Sequence, residues 1–312
     1  MRASPRVLSL VLGLLVACWT VPGFGQQEKA PSPPADPLAA AVARGFQLLS
    51  EGRFPEARAE LEKAQTLKEG PCGECLLGLS HVYAADKDWQ HAEEAARQAT
   101  ALLKTPQALA RAYNQLGMTL VQSRGRGGRA EAEKAFGQAA SFGGPWGNLA
   151  RYNLAEVLLK EERWAEAAEA ARGYLKEAGT AGTALREARI VLCQARYQLK
   201  DRLPPAEASG LRHVEGEVLP PEILLQVVPE FTSEARSDQT IGKVIVEAII
   251  DQEGCVGDVR VLQGLRAGLS ESAVNAMRSW VFTPATLQGQ PVKVYYVLTV
   301  NFKVDNRPSG HP

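Results

Sequence analysis

One stretch near the C-terminus limits the possible fold more than any other. Val292, Val294, Tyr296, Leu298, Val300, Phe302 and Val304 alternate with Lys293, Tyr295, Val297, Thr299, Asn301 and Lys303. A period of two, with one fully apolar face and one mixed face, predicts a half-buried antiparallel strand over 292–304. Lys243 to Ile250 is a second β-rich run. Asp251-Gln252-Glu253-Gly254 supplies turn chemistry, and Cys255 to Leu262 returns as the hairpin partner. Between the hairpin and the last strand, Leu269, Ala273, Ala276, Met277 and Trp280 share one helical face, with Ser270 as the expected N-cap. One amphipathic helix on a small antiparallel sheet is an α+β module.

The order of these features resembles the C-terminal domain of TonB-family energy transducers. The residues that carry the likeness are Pro229-Glu230-Phe231, Gly242 ahead of the first strand, Asp251 with Gly254 in the turn, and Leu269 with Ala273. Trp280-Val281-Phe282-Thr283-Pro284-Ala285, Gly289-Gln290-Pro291-Val292 and Phe302 follow. The likeness covers 222–305. The chain departs from the family at Thr232, where the family often has a second proline. The resemblance implies a partner segment that pairs with the domain by strand addition, in the envelope, with an outer-membrane transporter as one such partner. Main-chain bonds would supply affinity and alternate side chains selectivity. Val292, Val294, Tyr295, Tyr296, Val297, Thr299 and Asn301 are the expected edge contacts, with a central or self-pairing strand as the other reading.

From Pro37 the texture changes to Ala, Leu, Glu and Arg, and internal similarity recurs at a period near that of tetratricopeptide repeats (TPR). The recurring small and apolar positions are Gly45, Ala57, Leu61 and Ala64, then Leu76, Leu79, Ser80, Tyr83, Ala92, Ala96 and Ala99. Tyr113, Leu116, Gly117, Leu120, Ala132, Phe136 and Ala139 make the third unit, and Leu154, Ala155, Leu158, Ala167, Ala171 and Tyr174 the fourth. No such unit buries its apolar face alone, so the array has to stack. Arg124-Gly125-Arg126-Gly127-Gly128-Arg129 lengthens the third inter-helix turn and reads as a solvated loop, with a basic docking tip as the alternative. A helix from Thr183 to Lys200 reads as the terminal cap of the array. The expected organisation is an all-α TPR-like solenoid over 37–200, a Pro-containing linker over 201–221, the α+β module over 222–305 and a tail over 306–312.

The N-terminus reads as an export signal over 1–25: a short basic start, an apolar run from Val7 to Ala17, and small residues at Gly23-Phe24-Gly25. A linker follows over 26–36. Leu15-Val16-Ala17-Cys18 also resembles a bacterial lipobox, in which Cys18 would be lipidated. Either reading places the mature protein in the periplasm or cell envelope. Lysine plus arginine number 35 and aspartate plus glutamate 35, so no electrostatic case for nucleic acid arises.

Cys72-Gly73-Glu74-Cys75, just after Pro71, places two thiols at i, i+3 on a helix N-terminus. The spacing allows a small-ring disulfide, either structural or able to exchange. Cys193 reads as core, and Cys255 as partly exposed without an assigned role. His81, His91, His213 and His311 show no ligand spacing, and no phosphate loop, nucleophile elbow, metal site or cofactor motif is present. Trp280 and Phe282 read as core. The sequence therefore predicts a non-enzymatic envelope interaction protein. The alternatives are a full energy transducer, which would need an uncleaved N-terminal anchor, and a CxxC thiol–disulfide oxidoreductase.

Overall fold

The computed structural model describes residues 36–179, 182–199 and 210–303. The expected signal, Cys18, the first linker as far as Ala35, part of the second linker, the last two residues of the expected module and the tail lie outside the described residues.

The N-terminal half is built of helical hairpins. α1 (Pro37–Ser50) pairs with α2 (Phe54–Leu67), α3 (Gly73–Ala85) with α4 (Trp89–Leu102), and α5 (Pro106–Arg124) with α6 (Arg129–Ser141). α7 (Gly144–Lys160) packs on α6, and α8 (Trp164–Ala178) follows. Side-chain caps begin several of these helices: Asp36 accepts from Leu38 N, Asp88 from His91 N and Thr105 from Ala108 N. Three of the hairpin turns share one device. Their middle residues, Gly52, Lys87 and Glu162, take φ of 73°, 61° and 59°. The recurrence read from the sequence is thus also a recurrence of backbone conformation.

Small residues let the helices approach closely, within a hairpin at Gly45 and Gly117 and between hairpins at Gly78. A Cβ at Gly45 or at Gly78 would lie 2.7 Å from the Leu61 side chain, and one at Gly117 would lie 2.6 Å from the Phe136 ring. Leu61 is fully buried and Phe136 is 1% exposed. The third turn, expected as a solvated loop, is exposed from Arg124 to Gly127. Gly125–Gly128 forms a short 3-10 turn, and a Cβ at Gly128 would meet the Leu120 carbonyl oxygen at 2.3 Å. Arg124 pairs with Glu93 and Glu131, and Arg129 with Glu161, so the flanking cations form ion pairs at the surface of the array.

The C-terminal half is the α+β module. Its main sheet runs β1 (Arg212–His213), β9 (Val294–Phe302), β4 (Gly242–Ile250) and β5 (Val256–Gln263) in spatial order. A second sheet joins β2 (Val218–Leu219), β7 (Ala285–Leu287) and β8 (Gln290–Val292), and a third joins β3 (Ile223–Leu225) to β6 (Val281–Phe282). A short α10 (Ser233–Ser237) precedes β4, and α11 (Leu269–Met277) packs on β4 and β5. Val244, Val246, Ala248, Ile250, Leu269, Ala273, Met277, Phe282 and Val294 form one core. α11 is capped at Gly268, not at Ser270. Ser270 Oγ instead accepts from Leu265 N and donates to Leu265 O, both at 2.7 Å, which closes the loop ahead of the helix.

By compactness the described chain divides into two units. One runs to Glu161 and includes Ala170–Leu185; the other takes Glu162–Glu169 and everything from Arg186. The helix expected as the cap of the array is α9 (Leu185–Gln198), and from Arg186 it groups with the C-terminal module. Its side chains bond to the β4–β5 turn and to β3, as described below.

Candidate functional site

β9 runs antiparallel to β4 along its full length, from Gly242 opposite Phe302 to Ile250 opposite Val294. The expected single strand from Val292 divides, because Val292 closes β8 opposite Ala285 and the chain turns at Lys293 into β9. Val294, Val300 and Phe302 are buried, and Tyr296 and Leu298 pack against the same core. Tyr295, Val297, Thr299 and Asn301 lie on the opposite face, where Val297 is 53% exposed.

Among the described residues, a strand covers the outer side of β9 only at its start. β1 pairs with it in parallel, Arg212 opposite Val294 and His213 opposite Tyr295. Arg212 N donates to Lys293 O at 3.1 Å, and the His213 ring stacks on Tyr295 with centroids 5.2 Å apart. Backbone groups alternate sides along a strand, so the outward carbonyl of Lys293 directs those of Tyr295, Val297, Thr299 and Asn301 outward too. From Tyr296 to Phe302 no strand pairs with this side among the described residues. Val297, Thr299 and Asn301 therefore present a row of backbone donors and acceptors.

The motif residues build the support for this edge. Trp280 Nε1 donates to Val227 O at 2.8 Å and holds the segment that enters the module. Phe282, fully buried, sits between the rings of Trp280 and Tyr296, at 6.2 and 6.0 Å. Phe231 meets Phe302 edge to face at 6.0 Å. Pro229 and Pro284 are partly buried, whereas Pro291 is exposed in β8. A Cβ at Gly242 would lie 2.9 Å from Leu265. Gly254 has φ +85°, and a Cβ there would lie 2.0 Å from Phe282 O; its own carbonyl accepts from Phe282 N at 2.9 Å. The β4–β5 turn is thus fused to β6, which the turn sequence alone did not signal.

The same turn holds α9. Asp251 Oδ1 accepts from the backbone N–H groups of Glu253 and Cys255, at 2.8 and 3.0 Å. Its other oxygen lies 2.6 Å from Arg196 Nη1, which also reaches Glu253 Oε2 at 2.7 Å. Arg189 Nη1 donates to Glu253 O at 2.6 Å, and Arg186 Nη2 to Leu224 O at 2.7 Å. Cys193 and Cys255 form a disulfide with Cα atoms 5.2 Å apart. Both are buried, so Cys255 is neither exposed nor without a role. Sequence reasoning missed this pair because its halves lie 62 residues apart; only the even number of cysteines left beside Cys18 pointed to it.

Cys72 and Cys75 are also joined, at the start of α3, where Cys72 Sγ accepts from Cys75 N at 3.2 Å. Both residues are buried. His81 is buried as well, and its desolvation, with the Arg111 charge nearby, lowers its pKa to about 3. His91 Nδ1 lies 2.6 Å from Asp88 on the surface. His311 lies outside the described residues. Among the described residues, no group of three or more His, Cys, Asp or Glu could hold a metal ion. In the array, the Arg111 guanidinium stacks over Phe46 at 4.0 Å and Trp146 at 5.0 Å, bridging α1, α5 and α7. No sequence pattern hinted at that bridge, since its three residues come from separate hairpins.

Residues 227–304 match the family model of the Gram-negative bacterial TonB protein C-terminal domain. A comparison with curated proteins finds no match. Solved TPR structures resemble the helical half. The APC/C Cut9–Hcn1 hetero-tetramer aligns at TM-score 0.43 and 19% identity over 52% of this chain, but over only 30% of its own. PilF of Pseudomonas aeruginosa aligns at 0.45 and 20% over 53% of this chain and 70% of its own. A thermophilic TPR protein of Thermus thermophilus aligns at 0.42 and 19% over 52% and 82%.

Proposed function

We propose, starting from a TonB-type C-terminal domain at residues 227–304 behind an array of TPR-like hairpins, that this chain is a non-enzymatic interaction protein of the cell envelope. The array recruits one protein partner. The module grips an extended segment of another, such as an outer-membrane transporter, by strand addition along β9. The observation that carries the reading is the outer side of β9 past Tyr295, which no strand pairs among the described residues, with Val297 53% exposed beside it. A strand laid there gains main-chain bonds to Val297, Thr299 and Asn301, and its alternate side chains meet the two faces of the sheet. Two disulfides among the described residues support an oxidising compartment, as the envelope provides. Burial of Cys72 and Cys75 disfavours thiol–disulfide exchange as the main activity.

Val297→Pro tests the reading. Proline removes the outward N–H at 297 while the even-numbered bonds to β4 remain. Capture of a partner from envelope extract by the full chain should be lost, with the melting temperature kept. Undiminished capture by this variant would sink strand addition at β9.

A further inference from the structure

We infer that β1 is a displaceable internal strand that competes with the partner's strand for the outer edge of β9. The inference rests on the strand-addition reading and adds its regulation. Arg212 and His213 occupy the edge opposite Val294 and Tyr295, directly before the open stretch. Any partner strand that extends from Asn301 back to Tyr295 meets them in place. What holds them is slight: a two-residue ladder, the Arg212 N to Lys293 O bond, and the ring stack of His213 on Tyr295. Both residues are exposed, so their bonds face water. Short, solvent-facing pairings of this kind open at little cost. Val214, next in the chain, packs against the module's core. The segment thus stays tethered beside the edge when its two pairing residues let go, and it can return when the partner leaves.

A tethered competitor lowers the apparent affinity by the fraction of time it occupies the edge. Freeing the edge should raise that affinity without any new contact. Arg212→Pro removes the N–H that Lys293 O accepts, and His213→Gly removes the stacked ring; both positions are exposed. The test uses the full chain and a capped synthetic peptide of alternating threonine and valine as the strand probe, followed by NMR shifts at Val297, Thr299 and Asn301. Binding tighter by about fivefold or more in both variants is expected. Equal binding by wild type and variants, with shifts along β9, overturns the competition and leaves strand addition standing. No shifts along β9 in any of the chains overturns both.

Discussion

Arg196 is 9% exposed, and the carboxylate it faces, Asp251, 4%. Removing one member of such a buried pair leaves an uncompensated charge and typically costs about 3–5 kcal/mol. Arg196→Met should therefore lower the unfolding free energy of the C-terminal unit by about that much, read by chemical denaturation; a change below about 1 kcal/mol would make the pair incidental. Asp251 and Gly254 were legible as turn residues because turn chemistry is local. Their attachments were not, since Arg196 stands 55 residues from Asp251, and Phe282 reaches Gly254 only through the fold. His81 gives a pH prediction of its own. Its folded pKa, about 3, lies below its ordinary value of 6.5. The unfolded chain thus takes up the proton first as pH falls. The stability that His81 contributes is fully present above about pH 6.5 and is lost at up to about 1.4 kcal/mol per unit as pH falls towards about 3. Denaturation of wild type and His81→Gln at neutral and mildly acidic pH should show a flatter dependence in the variant, and equal slopes would remove His81 from the account.

Among elements, α9 shows most clearly what chain pattern can and cannot specify. Its helical period is plain, and its limits fall within two residues of the expected 183–200. Its allegiance is not plain, because a buried face looks the same whichever core it joins. The β4–β5 hairpin and α11 were legible from periods of 2 and 3.6. The break at Lys293 was not, since Val292 continues the alternation while β8 takes it elsewhere. The two disulfides should differ in worth. Loop-closure entropy assigns about 4 kcal/mol to the bond across 62 residues, and less than half of that to the bond across three. Cys193→Ser with Cys255→Ser should thus destabilise the chain far more than Cys72→Ser with Cys75→Ser, compared by thermal melts under oxidising conditions. Equal losses would contradict the entropic argument.

For the molecule as a whole, charge sets the character of association. The 35 cations and 35 anions cancel, so no net field steers a partner inward. If affinity comes from main-chain pairing along β9, it should change by less than about threefold between low and high salt, measured with the isolated partner once captured. A steep loss with salt would point to charged side chains instead. The likeness of 227–304 to one domain family leaves α9 outside the matched stretch. Yet α9 supplies Cys193 and Arg196. A fragment excised where the family likeness begins would inherit a widowed thiol at Cys255 and a stranded anion at Asp251. It would be prone to cross-linking and less stable, while one begun at Arg186 would keep both partners.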